Sequence, residues 1–81
     1  MMKKRETKIR QFAVCLDNTG YKSSLEIGKL YQVVPDEDAE SHGYLRVIDE
    51  SGEDYAFNSD RFYVVNLPVV VTKALLSAGR S

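Results

Sequence analysis

Five short stretches of the chain alternate apolar and polar positions at period two, the pattern of strands buried on one face. In residues 12–16, Phe12, Val14 and Leu16 alternate with Gln11, Ala13 and Cys15, which predicts a first strand ending at Asp17. Residues 30–34 form the second, with Tyr31 and Val33 on one face, and Pro35 ends its pairing because it has no N–H to donate. Residues 44–49 are rich in side chains that suit a pleated sheet, and residues 53–57 return after Glu50-Ser51-Gly52, a reversal of hairpin type. Residues 62–65 give the fifth strand after Asn58-Ser59-Asp60.

The connections follow from turn chemistry. Asn18-Thr19-Gly20 supplies side-chain hydrogen bonds and a residue that accepts positive φ, and residues 21–24 continue as loop. At Leu25-Glu26-Ile27-Gly28-Lys29 the chain swings away, with Gly28 expected at positive φ or against neighbouring backbone. Residues 36–43 read as an acidic loop. The tail carries two patterns, an edge strand over 69–71 or a short helix framed by Thr72 as N-cap and Gly79 past its end; a short helix or an unstructured tail is the expectation.

Five strands of about five residues with closely spaced turns predict an all-β fold, a small five-stranded barrel or roll. The chain divides into a flexible basic arm at 1–9, the barrel at 10–66 and the tail at 67–81. Tyr31, Tyr55, Phe57 and Phe62 are expected in the core, with Tyr21, Tyr44 and Tyr63 outside it.

CLDNTGY, LEIGKLYQVVPDEDAE, GYLRVIDESGEDY and RFYVV together resemble a family of small, uncharacterised SH3-like barrel proteins of bacteria and their phages. The resemblance covers about residues 12–66 and is most specific in GKLYQVVPD and VIDESGEDY. It implies an SH3-like barrel and no established activity. Peptide-binding SH3 domains dock Pro-rich segments on an aromatic groove that usually includes a tryptophan. This chain has no tryptophan; Tyr44 stands near that place and Tyr21 lies in the long loop.

Composition narrows the function by exclusion. At 81 residues there is room for one domain with a thin core, and 43% hydrophobic with 28% charged residues is ordinary for a globular chain. A single cysteine rules out an internal disulfide and fits a reducing, cytoplasmic setting. The basic start resembles the head of a signal peptide, but the apolar run at 12–16 is too short for one, and no segment is long enough to span a membrane.

Charge is unevenly spread. Residues 1–10 hold Lys3, Lys4, Arg5, Lys8 and Arg10 against Glu6, whereas residues 36–60 hold nine acids against Arg46 alone. The acidic loop, with Asp36, Glu37, Asp38 and Glu40, would steer a basic protein segment and repel nucleic acid. Beside it, Tyr21 and Tyr44 complete a predicted protein-binding surface. The five basic residues of the arm provide the alternative, a grip on nucleic-acid phosphates.

Leu16-Asp17-Asn18-Thr19-Gly20 and Ile48-Asp49-Glu50-Ser51-Gly52 share one pattern, which reads as two turns rather than cation loops, since in the first Gly20 comes too early and Lys22 stands where a ligand would be needed. Cys15 and His42 are the only thiol and imidazole, with no orienting third group. No zinc ligand set or Gly-rich phosphate loop is present in the sequence. The reading is a non-enzymatic protein-interaction or accessory module without cofactor or metal.

Overall fold

The computed structural model describes residues 11–78. Its elements are β1 (Phe12–Cys15), β2 (Leu30–Gln32), α1 (Glu37–Ser41), β3 (Tyr44–Ile48), β4 (Asp54–Asn58), a 3₁₀ turn (Ser59–Arg61), β5 (Phe62–Val65) and α2 (Val69–Ala78). All five strands fall where the alternation places them, with ends trimmed or shifted by one or two residues.

The strands do not close into the predicted five-stranded barrel. They form two open sheets, β2-β1-β5 and β3-β4, with antiparallel neighbours throughout. Among the described residues a single bridge, Val33 to Val47, and the bond from Val34 N–H to the Arg46 carbonyl at 2.8 Å connect the sheets. Among the described residues no ladder joins β4 to β5, so both remain edge strands. Between them, Asn58 accepts the Asp60 N–H at 2.9 Å and winds the chain into the 3₁₀ turn that leads into β5, which pairs with β1.

Two helices make the content mixed rather than all-β; the one in the tail is the short helix expected there, and the one at 37–41 was not expected. Residues 37–41 are helical within the predicted acidic loop because Asp36 is an N-cap, extended at φ −155°, whose carboxylate accepts the Ala39 N–H at 3.0 Å. Glu37 and Asp38 then lie against the partial positive charge of the first turn. In the tail, the Pro68 carbonyl accepts from the N–H groups of Val71 and Thr72, both at 3.0 Å, so the helix begins before Thr72. Thr72 is therefore a buried residue inside α2 and not its cap, and residues 69–71 are helical rather than an edge strand. No described helix is long and apolar enough to cross a membrane.

The core gathers Ala13, Cys15, Leu25, Tyr31, Val33, Leu45, Val47, Phe57 and Phe62. On β1 the inward residues are Ala13 and Cys15, both without exposed surface, while Leu16 is 53% exposed. Small side chains on this central strand leave space for Leu25 and Phe62. On the opposite face of the strand Phe12 is buried as well. Tyr55 also departs from expectation, standing outside the core at 47% exposure. Gly28 has φ +87° as predicted, its N–H bonded to the Cys15 carbonyl at 2.8 Å.

Candidate functional site

The β3–β4 hairpin is the most informative part of the surface. Its register sets Tyr44 opposite Asn58, Leu45 opposite Phe57, Arg46 opposite Ala56, Val47 opposite Tyr55 and Ile48 opposite Asp54. Because side chains alternate across a strand, Leu45, Val47, Tyr55 and Phe57 share the inner face, and Tyr44, Arg46 and Ile48 the outer one. Bonds from Asp49 N–H to Glu53 O and from Ser59 N–H to Gly43 O, both 3.0 Å, extend the ladder at its two ends. They identify 43/59, 45/57, 47/55 and 49/53 as the hydrogen-bonded pairs. The main-chain groups of Asp54 and Ala56, and the Asn58 N–H, therefore point away from β3, toward the open edge, while the Asn58 carbonyl turns into the 3₁₀ turn.

A cleft of about 340 Å³ lies against the inner face, lined by Tyr21, Ser24, Asp49, Ser51, Tyr55 and Phe57. Tyr21 reaches it from the long loop and meets Phe57 edge-on, with ring centroids 5.0 Å apart and planes at 85°. The Arg61 guanidinium lies 4.8 Å from the Tyr21 ring centroid and donates to the Asp17 carbonyl at 3.2 Å. Tyr21 is thus a fixed wall. Tyr55 is freer: its ring is 6.5 Å from Phe57, and its hydroxyl donates to Glu53 at 2.8 Å, a bond that raises the phenol's pKa.

The floor of the cleft is one of the two repeated turns. The Asp49 carboxylate accepts the Ser51 N–H at 2.9 Å and the Ser51 hydroxyl, and Glu50 N–H binds the Ser24 carbonyl at 3.0 Å. In the other turn Asp17 accepts the Thr19 N–H at 2.9 Å, which holds its pKa below the usual carboxylate range, and Arg61 stands 3.7 Å away. Each aspartate is placed by its own backbone, as the turn reading predicts.

On the outer face, Arg46 donates to Asp36 at 2.8 Å and to Asp54 at 3.3 Å. Asp36 is thus committed to a cap and an ion pair; the Ala39 N–H, then Arg46, keep its pKa low. Glu37, Asp38 and Glu40 lie exposed on α1. Tyr44 is also exposed, on the same strand face as Arg46. The predicted surface is therefore divided, with Tyr44 and the acidic residues on one face of the hairpin and Tyr21 on the other.

The remaining sequence-selected residues fall elsewhere. Lys3, Lys4, Arg5, Lys8 and Arg10 lie outside the described residues. Cys15 is fully buried, and burial pushes its thiol pKa up. His42 sits exposed at the end of α1 with Nδ1 2.8 Å from the Asp38 carbonyl. One polar cluster not anticipated from sequence joins Tyr31, whose hydroxyl donates to Glu50 at 2.6 Å, to Lys29, which donates to the same oxygen at 2.7 Å. Lys29 first, then Tyr31, holds Glu50 below its ordinary pKa.

Tyr55 was missed because residues 53–57 read as a core strand, and Asp49 and Ser51 were read only as a turn. The available signal was Glu53-Asp54 at the start of that strand, since charge on a returning strand marks an edge. Comparison with protein families, curated proteins and solved structures finds no match for the chain.

Proposed function

We propose that this protein is a non-enzymatic interaction module, acting as an accessory or regulatory subunit, that takes a segment of a partner protein in the Tyr21–Tyr55 cleft. The observation that carries the reading is Tyr55, a half-exposed aromatic ring over a cleft at an open strand edge. Aromatic rings with one polar end are favoured at protein interfaces because they bury a large area with few torsions to fix. The surrounding polar groups support binding over chemistry: Asp49 and Ser51 are bonded to each other, and the only thiol is buried in the core. Charge favours a basic partner, because residues 11–78 contain eleven acids against five basic residues. Three of those five, Lys29, Arg46 and Arg61, are already paired with carboxylates.

Selection of displayed random peptides on the immobilised protein tests the reading, with the folded Tyr55→Ser variant as the counter-target. Sequences enriched on the wild type and lost on the variant are expected. Absence of enrichment, or equal enrichment on both, contradicts a binding cleft at this position.

A further inference from the structure

From the direction of the β4 edge and the charge around it, we infer that the partner segment binds as an added β-strand along Asp54–Asn58, with a lysine or arginine directed onto Tyr55 and Glu53. The inference rests on the protein-binding reading above and specifies its mode. Three observations converge. First, Asp54 and Ala56 direct their main-chain groups outward and the Asn58 N–H follows the same side, with no ladder partner among the described residues; the Asn58 carbonyl caps the 3₁₀ turn. Such an edge binds extended chains through main-chain hydrogen bonds, and alternate side chains provide selectivity.

Second, the register decides which guest side chain enters the cleft. With Asp54 and Ala56 bonding outward, Tyr55 faces a non-hydrogen-bonded position of an antiparallel guest strand, where opposed side chains come closest. The guest residue opposite Tyr55 projects to the same inner face as Tyr55, above the cleft. Third, that position is electronegative. Glu53 holds the Tyr55 hydroxyl at 2.8 Å, and residues 49–60 contain Asp49, Glu50, Glu53, Asp54 and Asp60 with no basic residue. Lys29 and Arg46 neutralise Glu50 and Asp54, leaving Glu53 without a cationic partner among the described residues. A cation over the Tyr55 ring, beside Glu53, satisfies both groups.

The occupant is therefore an extended, basic segment of another protein. A second copy of this chain fits less well, because its own β4 edge would bring the same acidic hairpin against this one.

The test uses the full chain and the strongest peptide from the selection, resynthesised with single N-methyl groups and with its basic residue changed to glutamine. Methylation at every second amide should weaken binding about tenfold or more, while methylation at the intervening amides leaves it nearly unchanged. Replacing the basic residue should cost a similar factor on the wild type and little on Glu53→Gln. The amides of Asp54, Ala56 and Asn58 should become protected from exchange in the complex. Enriched peptides that are Pro-rich, lack a basic residue or tolerate methylation everywhere would overturn strand addition while leaving the cleft a binding site. Edge protection that appears without peptide and rises with protein concentration would assign the edge to a second copy and overturn the inference. If selection enriches nothing, the protein-binding reading fails and this inference fails with it.

Discussion

The two faces of the β3–β4 hairpin are built from the same two strands and differ in what their polar groups are bound to. On the outer face, Arg46 links Asp36 to Asp54, so the acidic residues nearest the strand are engaged in holding α1 against the sheet. On the inner face, the aspartate at the floor of the cleft is satisfied locally by Ser51, and an aromatic ring is left exposed above it. Conspicuous charge thus marks the structural face, and the quieter face has the features of a binding surface.

The largest expected effect separates the faces by burial. Phe57 is buried among Tyr21, Tyr55 and Phe62, so Phe57→Ala should cost about 3–5 kcal/mol in denaturant unfolding. Arg46→Met should lower the unfolding midpoint far less, because partly exposed ion pairs contribute little. Equal losses would erase the distinction.

The repeated turns sharpen it next. Asp49 is 6% exposed, and Asp49→Ala leaves a sequestered N–H and hydroxyl without their acceptor, a loss of about 1–3 kcal/mol. Asp17 has a side chain 54% exposed, so water replaces its carboxylate and Asp17→Ala should lower the unfolding midpoint by a clearly smaller amount. A reversed order would show that the Asp49 floor is not structural.

A third effect is confined to acid. The folded pKa of Asp36 is depressed, so its carboxylate contributes stability fully above the unfolded value of about 3.9 and loses that contribution as pH falls through the lower folded value. The melting temperature of the wild type should therefore exceed that of Asp36→Asn at neutral pH and converge on it below about pH 4. A constant difference from neutral pH down into acid would contradict the cap and ion pair. The smallest expected effect is none. Melts with a chelator and with millimolar calcium should coincide, because both turn aspartates are placed by backbone N–H groups; a rise specific to calcium would make one turn a cation site.

The strands and turns were legible because their determinants are local. Alternation in 44–48, Pro35 as a terminator and Gly28 at positive φ follow from neighbouring residues. Sheet closure was not legible. Whether β4 and β5 meet depends on where the 3₁₀ turn after Asn58 sends the chain, a tertiary outcome that period-two patterning does not encode. α1 was hidden by its own charge, since Asp36-Glu37-Asp38 satisfies both the description of a solvated loop and that of a capped first turn. Which face of β1 turns inward was not legible either, since Ala13 and Cys15 pack against the large rings while Phe12 is buried on the opposite face. For the candidate site, sequence reasoning found Tyr21 but joined it to Tyr44, as residue spacing carries no information about which face of a later hairpin a loop will reach.

The central claim is that the inner face binds a partner and the outer face does not. Tyr55 and Tyr44 make a matched pair of probes, two tyrosines of similar exposure, 47% and 46%, on opposite faces of one hairpin. The direct measurement is the affinity of a selected peptide, by fluorescence anisotropy, for Tyr55→Ser and Tyr44→Ser proteins of verified equal stability. The account predicts a loss of about tenfold or more for Tyr55→Ser and no change for Tyr44→Ser. Equal losses, or a loss on Tyr44→Ser alone, would contradict it.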